Sequence, residues 1–256
     1  MLTVTRHPGP DSAPPLLIVH GLFGSGRNWG AIAKRLSDAR TVLAVDMRNH
    51  AGSFWSEAHD YPTLAADLAE VIAAEGQPLD VLGHSMGGKA SMWLALTQPA
   101  RVRSLIVADI APVAYGHSQN HLIGAMRALD LTGLSARGEA DRRLAQTVAD
   151  PQVRAFLLQS LDLKSDPPRW RLNLDALEAN MARITGWPDD SGLAPFTGRT
   201  LFLSGALSDY VRPEAREVIR RLFPAARMAK IPGAGHWLHA EKPREFEAAI
   251  RVFLGN

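Results

Sequence analysis

A serine between two glycines is the residue of this sequence best suited to chemistry. Residues 83–87 read GHSMG and fit the pattern G-x-S-x-G, in which a serine lies on a sharp turn between a strand and a helix. An apolar run precedes the motif, and a helical pattern over 89–98 follows it. Glycines two positions from the serine allow the tight turn that exposes its hydroxyl. We therefore predict that Ser85 is a nucleophile.

A serine hydroxyl needs a base that removes its proton during attack. His236 lies in the segment 232–237, PGAGHW, directly after the last predicted strand. Hydrolases with this kind of turn carry serine, acid and histidine in that chain order, and His236 has the right position for the base. His239, three residues later, is the alternative.

Two aspartates are candidates for the acid that orients the base. Asp109 ends the strand that follows the helix of the serine motif, and Asp209 follows the penultimate strand. Either carboxylate could hold the imidazole tautomer and stabilise the imidazolium. Both precede His236, so the chain order does not choose between them. The other aspartate is expected in a turn or helix-capping role.

Attack on an acyl carbon also needs two N–H donors for the developing oxyanion. The N–H of Met86, at the start of the helix after Ser85, provides one of them. The second is expected from the glycine-rich loop 20–26, HGLFGSG, after the first buried strand. Leu22 is our choice for this donor, with Phe23 as the alternative.

The remaining motif residues favour structural roles. His84 is expected to point away from Ser85 and to pack or form hydrogen bonds, and Asp46 and Arg48 are expected to fix their loop as a pair. The loop 21–26 lacks the lysine of a phosphate-binding P-loop and the acidic residue of a dinucleotide site. No cluster of histidines and carboxylates has metal spacing. We predict no metal and no cofactor.

Strands and helices alternate regularly around these side chains. Continuous apolar runs are typical of strands that are covered on both faces, and each run ends in a polar loop. This order predicts an α/β fold with a mostly parallel sheet, helices on both faces and a site beyond the carboxyl ends of the strands. The predicted strands are 2–6, 16–20, 41–45, 79 to the serine turn, 103–108, 200–205 and 227–231. The predicted helices are 29–37, 62–75, 89–98, 213–223 and 241–254.

The pattern changes between residues 113 and 195. This segment predicts several amphipathic helices and no buried strand. Since alternation then resumes, we predict a helical cap insertion over 113–195 in a core formed by 1–112 and 196–256. The insertion is expected to cover the site, although each of its large apolar side chains could instead pack in the core. Phe23, Trp187 and Trp237 are the candidate pocket residues.

Composition narrows the class of protein. The 256 residues are 46% hydrophobic and 21% charged, with a formal net charge of +2 and interleaved arginines and acids, which argues against nucleic acid as a partner. Without cysteine there is no disulfide, and this fits a reducing compartment. The sequence begins without a signal-peptide pattern, and no apolar run approaches the roughly 20 residues of a membrane span. We predict a cytoplasmic protein and leave its oligomeric state open.

The sequence resembles the α/β-hydrolase superfamily in the segments 20–25, 46–53, 83–88 and 233–237. The segments 109–113, DIAPV, and 236–243, HWLHAEKP, are similar to those of YbfF-type esterases. Most relatives place the acid three residues after the glycine that ends the penultimate strand, where this chain has Ser208, with Asp209 displaced by one. A shift of one residue can reverse a side chain in extended structure. The YbfF-type resemblance instead implies that Asp109 is the acid.

These residues and the resemblance predict a carboxylic-ester hydrolase that forms an acyl-enzyme. The resemblance implies a small-molecule substrate with a short acyl chain, either an ester or an acyl thioester. A C–C bond hydrolase and a cofactor-free perhydrolase would share the serine and the histidine. A non-catalytic ligand-binding protein on the same fold is the alternative from another class.

Overall fold

A central sheet of seven strands organises the protein. The computed structural model describes residues 1–255. The strands are β1 (Thr3–His7), β2 (Leu16–Val19), β3 (Val42–Asp46), β4 (Leu79–His84), β5 (Val102–Ala108), β6 (Leu161–Asp162), β7 (Arg169–Trp170), β8 (Arg199–Gly205) and β9 (Ala226–Ile231). The sheet order is β1-β3-β2-β4-β5-β8-β9, and among the described strands of this sheet only β1, at the edge, runs antiparallel to its neighbour. The predicted mostly parallel sheet is confirmed.

Helices pack against both faces of the sheet. Their bounds are α1 (Gly30–Leu36), α2 (Tyr61–Ala74), α3 (Met86–Thr97), α4 (Asn120–Ala128), α5 (Arg137–Leu144), α6 (Pro151–Leu157), α7 (Leu174–Ala179), α8 (Met181–Thr185), α9 (Ala215–Leu222), α10 (Leu238–Glu241) and α11 (Pro243–Leu254). Along β2, Leu17 and Val19 pack in one core with α2, α3 and α9, whereas Leu16 and Ile18 pack in the other with α1 and α11. This alternation follows the two-residue period of a strand.

The observed helix bounds differ from the predicted ones mainly at the end of the chain. The predicted helix 241–254 corresponds to α11, which begins at Pro243, and a short helix that was not predicted, α10, ends just before Lys242 (φ −133°, ψ 60°). Pro243 disfavours a helical conformation of the residue before it and begins α11. Among residues 1–255, none of the helices combines the length and the hydropathy that a bilayer crossing requires.

The segment between β5 and β8 contains α4 to α8 and one feature that the sequence did not predict. The expectation that it contains no buried strand is wrong, because β6 and β7 form a small antiparallel pair in which Leu161 faces Trp170. Both of these side chains are buried. Two residues per strand are too few to show a hydrophobic period, so only the structure reveals this pair.

Candidate active site

Ser85 lies on the turn between β4 and α3, in the middle of the sheet. Its backbone has a positive φ (φ 53°, ψ −120°), a conformation that a non-glycine residue rarely adopts. A Cβ on Gly83 would lie 2.4 Å from the carbonyl oxygen of Gly87, and a Cβ on Gly87 would lie 2.4 Å from that of His20. Both glycines of the motif are therefore required by close backbone approach.

A cavity of about 470 Å³ opens beside Ser85. Two of the three predicted pocket residues, Phe23 and Trp237, line it together with His236. The segment between β5 and β8 contributes much of the remaining wall, including the apolar side chains Leu122, Val148, Val153 and Phe156. The cavity volume is in the range of small-molecule sites.

The third predicted pocket residue needs a correction, because Trp187 is not part of the cavity wall. Its indole packs edge-on against Trp93, with ring centroids 5.7 Å apart, and lies 6.1 Å from the ring of Tyr61. Its Nε1 donates a hydrogen bond of 2.8 Å to Asp190. Packing between the insertion and α3 therefore accounts for this tryptophan.

The structure brings His236 and Asp109 into direct contact. The Nδ1 atom of His236 lies 2.7 Å from Oδ2 of Asp109, whose side chain is fully buried. The backbone N–H of Gly205 donates to Oδ1 at 2.9 Å, and the hydroxyl of Ser208 donates to Oδ2. These donors fix the carboxylate with Oδ2 facing the imidazole.

Asp209 lies outside this arrangement. It is exposed, and its carboxylate forms no hydrogen bond or ion pair with His236 in the described part of the chain. Its backbone carbonyl accepts a hydrogen bond from Nε of Arg212 at 3.1 Å. Ser208, the residue before Asp209, donates its hydroxyl to Oδ2 of Asp109.

Two side chains hold the ring and backbone of His236. The ring of Tyr210 stacks on its imidazole, with centroids 4.0 Å apart and planes at 20°. His84 contacts its carbonyl oxygen through Nε2 at 2.9 Å, and burial lowers the pKa of His84 well below its usual range. His84 therefore has the hydrogen-bonding role predicted for it. Tyr210 was not predicted from the sequence, although it directly follows Asp209.

His239, the alternative base, is engaged elsewhere. Its ring stacks on the indole of Trp29, with centroids 4.1 Å apart and planes at 13°. Burial lowers its pKa to about 3, so the ring is neutral and uncharged at ordinary pH. The packing of this side chain explains its presence without a chemical role.

The loop after β2 offers one backbone donor to the cavity. The N–H of Phe23 is engaged with Nε2 of His50 at 3.2 Å, and Phe23 has a left-handed backbone (φ 64°). The N–H of Leu22 has no acceptor among residues 1–255. Met86 is the first residue of α3, where an N–H lacks an acceptor within the helix. The pair Leu22 and Met86 is thus better placed to bind an anion than a pair with Phe23.

Two neutral histidines, His20 and His50, adjoin this loop. Burial lowers the pKa of His20 to about 4 and that of His50 to about 3. A neutral ring keeps one nitrogen as an acceptor, and Nε2 of His20 accepts the N–H of Met47 at 2.9 Å. The described residues contain no group of three or more histidine or carboxylate side chains arranged as a metal site.

The expected pair of Asp46 and Arg48 is not formed. Arg48 instead makes an ion pair with Asp67, with 2.6 Å between Nε and Oδ2. Asp46 accepts the backbone N–H groups of Gly26 at 2.8 Å and Gly52 at 3.0 Å. Each residue fixes a loop at the carboxyl edge of the sheet, but through a different partner.

Comparisons with known proteins agree with this architecture. The family model for the alpha/beta hydrolase fold matches residues 14–243. The chain is 39% identical over 255 residues to the mouse sn-1-specific diacylglycerol lipase ABHD11, covering 96% of this chain and 82% of the mouse protein.

Two esterases are also similar. Esterase YbfF of Escherichia coli is 36% identical over 247 residues, covering 94% of this chain and 93% of that protein, which confirms the resemblance found in the sequence. The solved structure of a marine microorganism esterase superimposes with a TM-score of 0.92 at 38% identity, with 98% of each chain covered. The chain therefore belongs to the alpha/beta hydrolase fold family, as an enzyme of its esterase and lipase type.

Proposed function

We propose that this protein is a serine carboxylic-ester hydrolase that works through Ser85, His236 and Asp109. The observation that carries the proposal is the 2.7 Å contact between His236 Nδ1 and Asp109 Oδ2, with Ser85 and His236 on the wall of one cavity. A buried carboxylate on Nδ1 keeps the proton there, so that Nε2 can accept the proton of the serine hydroxyl. This contact, and the cavity wall that Ser85 and His236 share, support the proposed roles of the three residues.

The reaction then follows two acyl-transfer steps. Ser85 Oγ attacks the acyl carbon while His236 takes its proton, and the N–H groups of Leu22 and Met86 stabilise the oxyanion. The imidazolium returns the proton to the leaving alcohol, and an acyl-enzyme on Ser85 remains. Water, activated by His236, attacks this ester, and the carboxylic acid leaves.

The proposal includes a division of the chain into core and cap. The core comprises residues 1–112 and 196–256, and the cap comprises 113–195. Support comes from the chain path, since the segment leaves the central sheet after β5 and rejoins it at β8. Support also comes from the cavity, whose wall combines Ser85 and His236 of the core with Val153 and Phe156 of the cap.

We propose small esters with short acyl chains as the substrates, together with acyl thioesters of similar size. The relatives named above are esterases and, in the mouse, a diacylglycerol lipase. A cavity of about 470 Å³ suits molecules of this size. Thioesters undergo the same two acyl-transfer steps, because Ser85 attacks their acyl carbon in the same geometry.

Covalent labelling tests the nucleophile directly. We expect diethyl p-nitrophenyl phosphate to release one equivalent of nitrophenol per chain, because Ser85 displaces the phenol and keeps the diethyl phosphoryl group. Peptide mass spectrometry should find this group on Ser85, and esterase activity should be lost in proportion to labelling. A short ester added beforehand should slow the labelling. Loss of activity with the label on another residue would contradict the proposal.

A further inference from the structure

Lys89 is a charged residue in a place where the proposed chemistry does not use one. It lies one helical turn after Ser85, on the buried helix α3, whose sequence is MGGKASMWLALT. Its side chain is 1% exposed, yet it lines the cavity together with Ser85. Burying an ammonium group in a site of this kind is costly unless it has a partner.

The partners of Lys89 in the protein are dipoles and aromatic rings. Its Nζ donates to the backbone carbonyls of Thr185 at 3.0 Å and Gly186 at 2.5 Å. It also lies 4.7 Å from the ring centroid of Tyr115 and 5.5 Å from that of Tyr61. It forms no ion pair with a carboxylate among residues 1–255. The positive charge has no counter-ion within the described protein.

The other ionisable groups of the cavity do not supply a counter-ion. Asp150 is the carboxylate on the described wall, and its side chain caps α6 by accepting the N–H of Gln152 at 2.8 Å. The other acid–base side chains, apart from tyrosines, are histidines, namely His20, His84, His117, His121, His236 and His239. The cavity therefore favours an anionic ligand over a cationic one.

We propose that Lys89 binds a carboxylate carried by the substrate, so that the preferred esters bear a carboxylate on their acyl or alcohol part. This inference rests on the proposed function, because it assumes that Ser85 attacks the ester. Lys89 and Ser85 line the same cavity from positions one helical turn apart. The two residues are about 6 Å apart along the helix axis, so a carboxylate a few carbons from the ester can reach the ammonium.

A structural role of Lys89 has a different signature. As a link between α3 and the end of α8, it would affect the turnover of charged and neutral esters alike. As an anion-binding residue, it affects the charged ester more. The test is therefore the ratio of kcat/KM values for matched esters, one with a carboxylate and one without.

Two matched pairs of esters separate the two places where the carboxylate can be. Monomethyl glutarate and methyl pentanoate differ on the acyl side. The acetate ester of γ-hydroxybutyrate and butyl acetate differ on the alcohol side. Initial rates are measured by titration of the released acid for wild type, Lys89→Met, Lys89→Arg and the surface control Lys34→Met. The Ser85→Ala variant provides the background rate.

We expect wild type to prefer the charged ester in at least one pair. Lys89→Met should reduce this preference by about 10- to 100-fold, as expected for the loss of a hydrogen bond between charged groups. Lys89→Arg should retain most of the preference, and Lys34→Met should leave it unchanged.

Failure of the Lys89 proposal and failure of the esterase proposal give different results. Equal losses for charged and neutral esters in Lys89→Met, or no preference in wild type, would overturn the role of Lys89 while the esterase proposal stands. If wild type hydrolyses no ester above the Ser85→Ala background, the esterase proposal itself fails, and this inference fails with it.

The preference for the charged ester should also depend on pH. Burial lowers the pKa of Lys89 to about 7, so its positive charge is present below this pH and is lost above it. We expect the preference to decline between about pH 6 and about pH 9 in wild type, and to persist to higher pH in Lys89→Arg, because arginine stays charged. Because the preference is the ratio of the kcat/KM values of two matched esters, any pH dependence that the two esters share cancels. A preference independent of pH in wild type would contradict a titrating Lys89.

The other titratable groups that face Lys89 do not interfere with this measurement of pH dependence. Burial raises the pKa values of Tyr61 and Tyr115 well above this range, so both phenols remain neutral. The pKa of His117 is lowered by burial, by the charge of His236 and by that of Lys89 itself, so His117 is neutral over most of the range. The carbonyl partners at residues 185 and 186 do not titrate.

Discussion

Replacing Ser85 by alanine is expected to lower kcat for a short p-nitrophenyl ester by about five to six orders of magnitude. The hydroxyl is the atom that forms the acyl-enzyme in our proposal, and neither His236 nor the oxyanion donors can replace it. Residual turnover should come from water in the cavity, still assisted by those donors. Steady-state rates at substrate saturation measure the effect.

The control for this variant lies on the same helix. Ser91 is buried, and its hydroxyl donates to the carbonyl of Gly87 at 2.7 Å, away from the proposed chemistry. We expect Ser91→Ala to retain activity within about tenfold, since it loses one intrahelical hydrogen bond. Thermal unfolding should show that both variants remain folded. Turnover by Ser85→Ala close to that of wild type would exclude Ser85 as the nucleophile.

The core of the fold could be predicted because its signals are local. Strands such as β2, with four fully buried residues, show as unbroken apolar runs, and helices between them fix a parallel order. The serine turn could be predicted because glycine is required at two fixed positions around it, as the close contacts of Gly83 and Gly87 with backbone oxygens explain. For both the buried strands and the serine turn, the residues that the structure requires lie within a few positions of one another in the sequence.

Residues whose roles depend on distant contacts could not be predicted in this way. Trp187 packs against Trp93, which lies almost a hundred positions earlier in the chain, and no local pattern reveals that contact. Lys89 is a comparable case, because its partners are carbonyls at residues 185 and 186. The available signal was a single lysine in an otherwise uncharged helix.

The choice between Asp109 and Asp209 could be predicted from the sequence only through a family resemblance. The residue types and chain order left both open, and the resemblance to YbfF-type esterases favoured Asp109. The structure adds a physical reason, since β5 pairs with β8 and the N–H of Asp109 donates to the carbonyl of Leu203 at 2.9 Å. This pairing and a left-handed backbone at Asp109 (φ 51°) direct its carboxylate toward Gly205 and His236.

Asp109→Asn is therefore expected to lower kcat/KM by about ten-thousand-fold, whereas Asp209→Asn should change it by no more than a few-fold. The N–H of Gly205 requires an acceptor at Oδ1, so the asparagine amide should keep its oxygen there and turn its NH₂ toward Nδ1 of His236. That NH₂ is a donor, so it selects the tautomer with the proton on Nε2. Nε2 can then no longer accept the proton of Ser85.

The short p-nitrophenyl ester used for Ser85→Ala also measures both of these variants, and thermal unfolding checks that each is folded. The asparagine keeps the shape of the aspartate, so a loss of activity without a loss of fold reports the tautomer and charge of His236. Because Ser208 also donates to the carboxylate, Ser208→Ala should cause a smaller loss, consistent with a support for Asp109 and not with a reacting group. A collapse of activity in Asp209→Asn, with Asp109→Asn near wild type, would require the loop after β8 to bring Asp209 to His236 during turnover. The acid would then come from the loop after β8 and not from the end of β5.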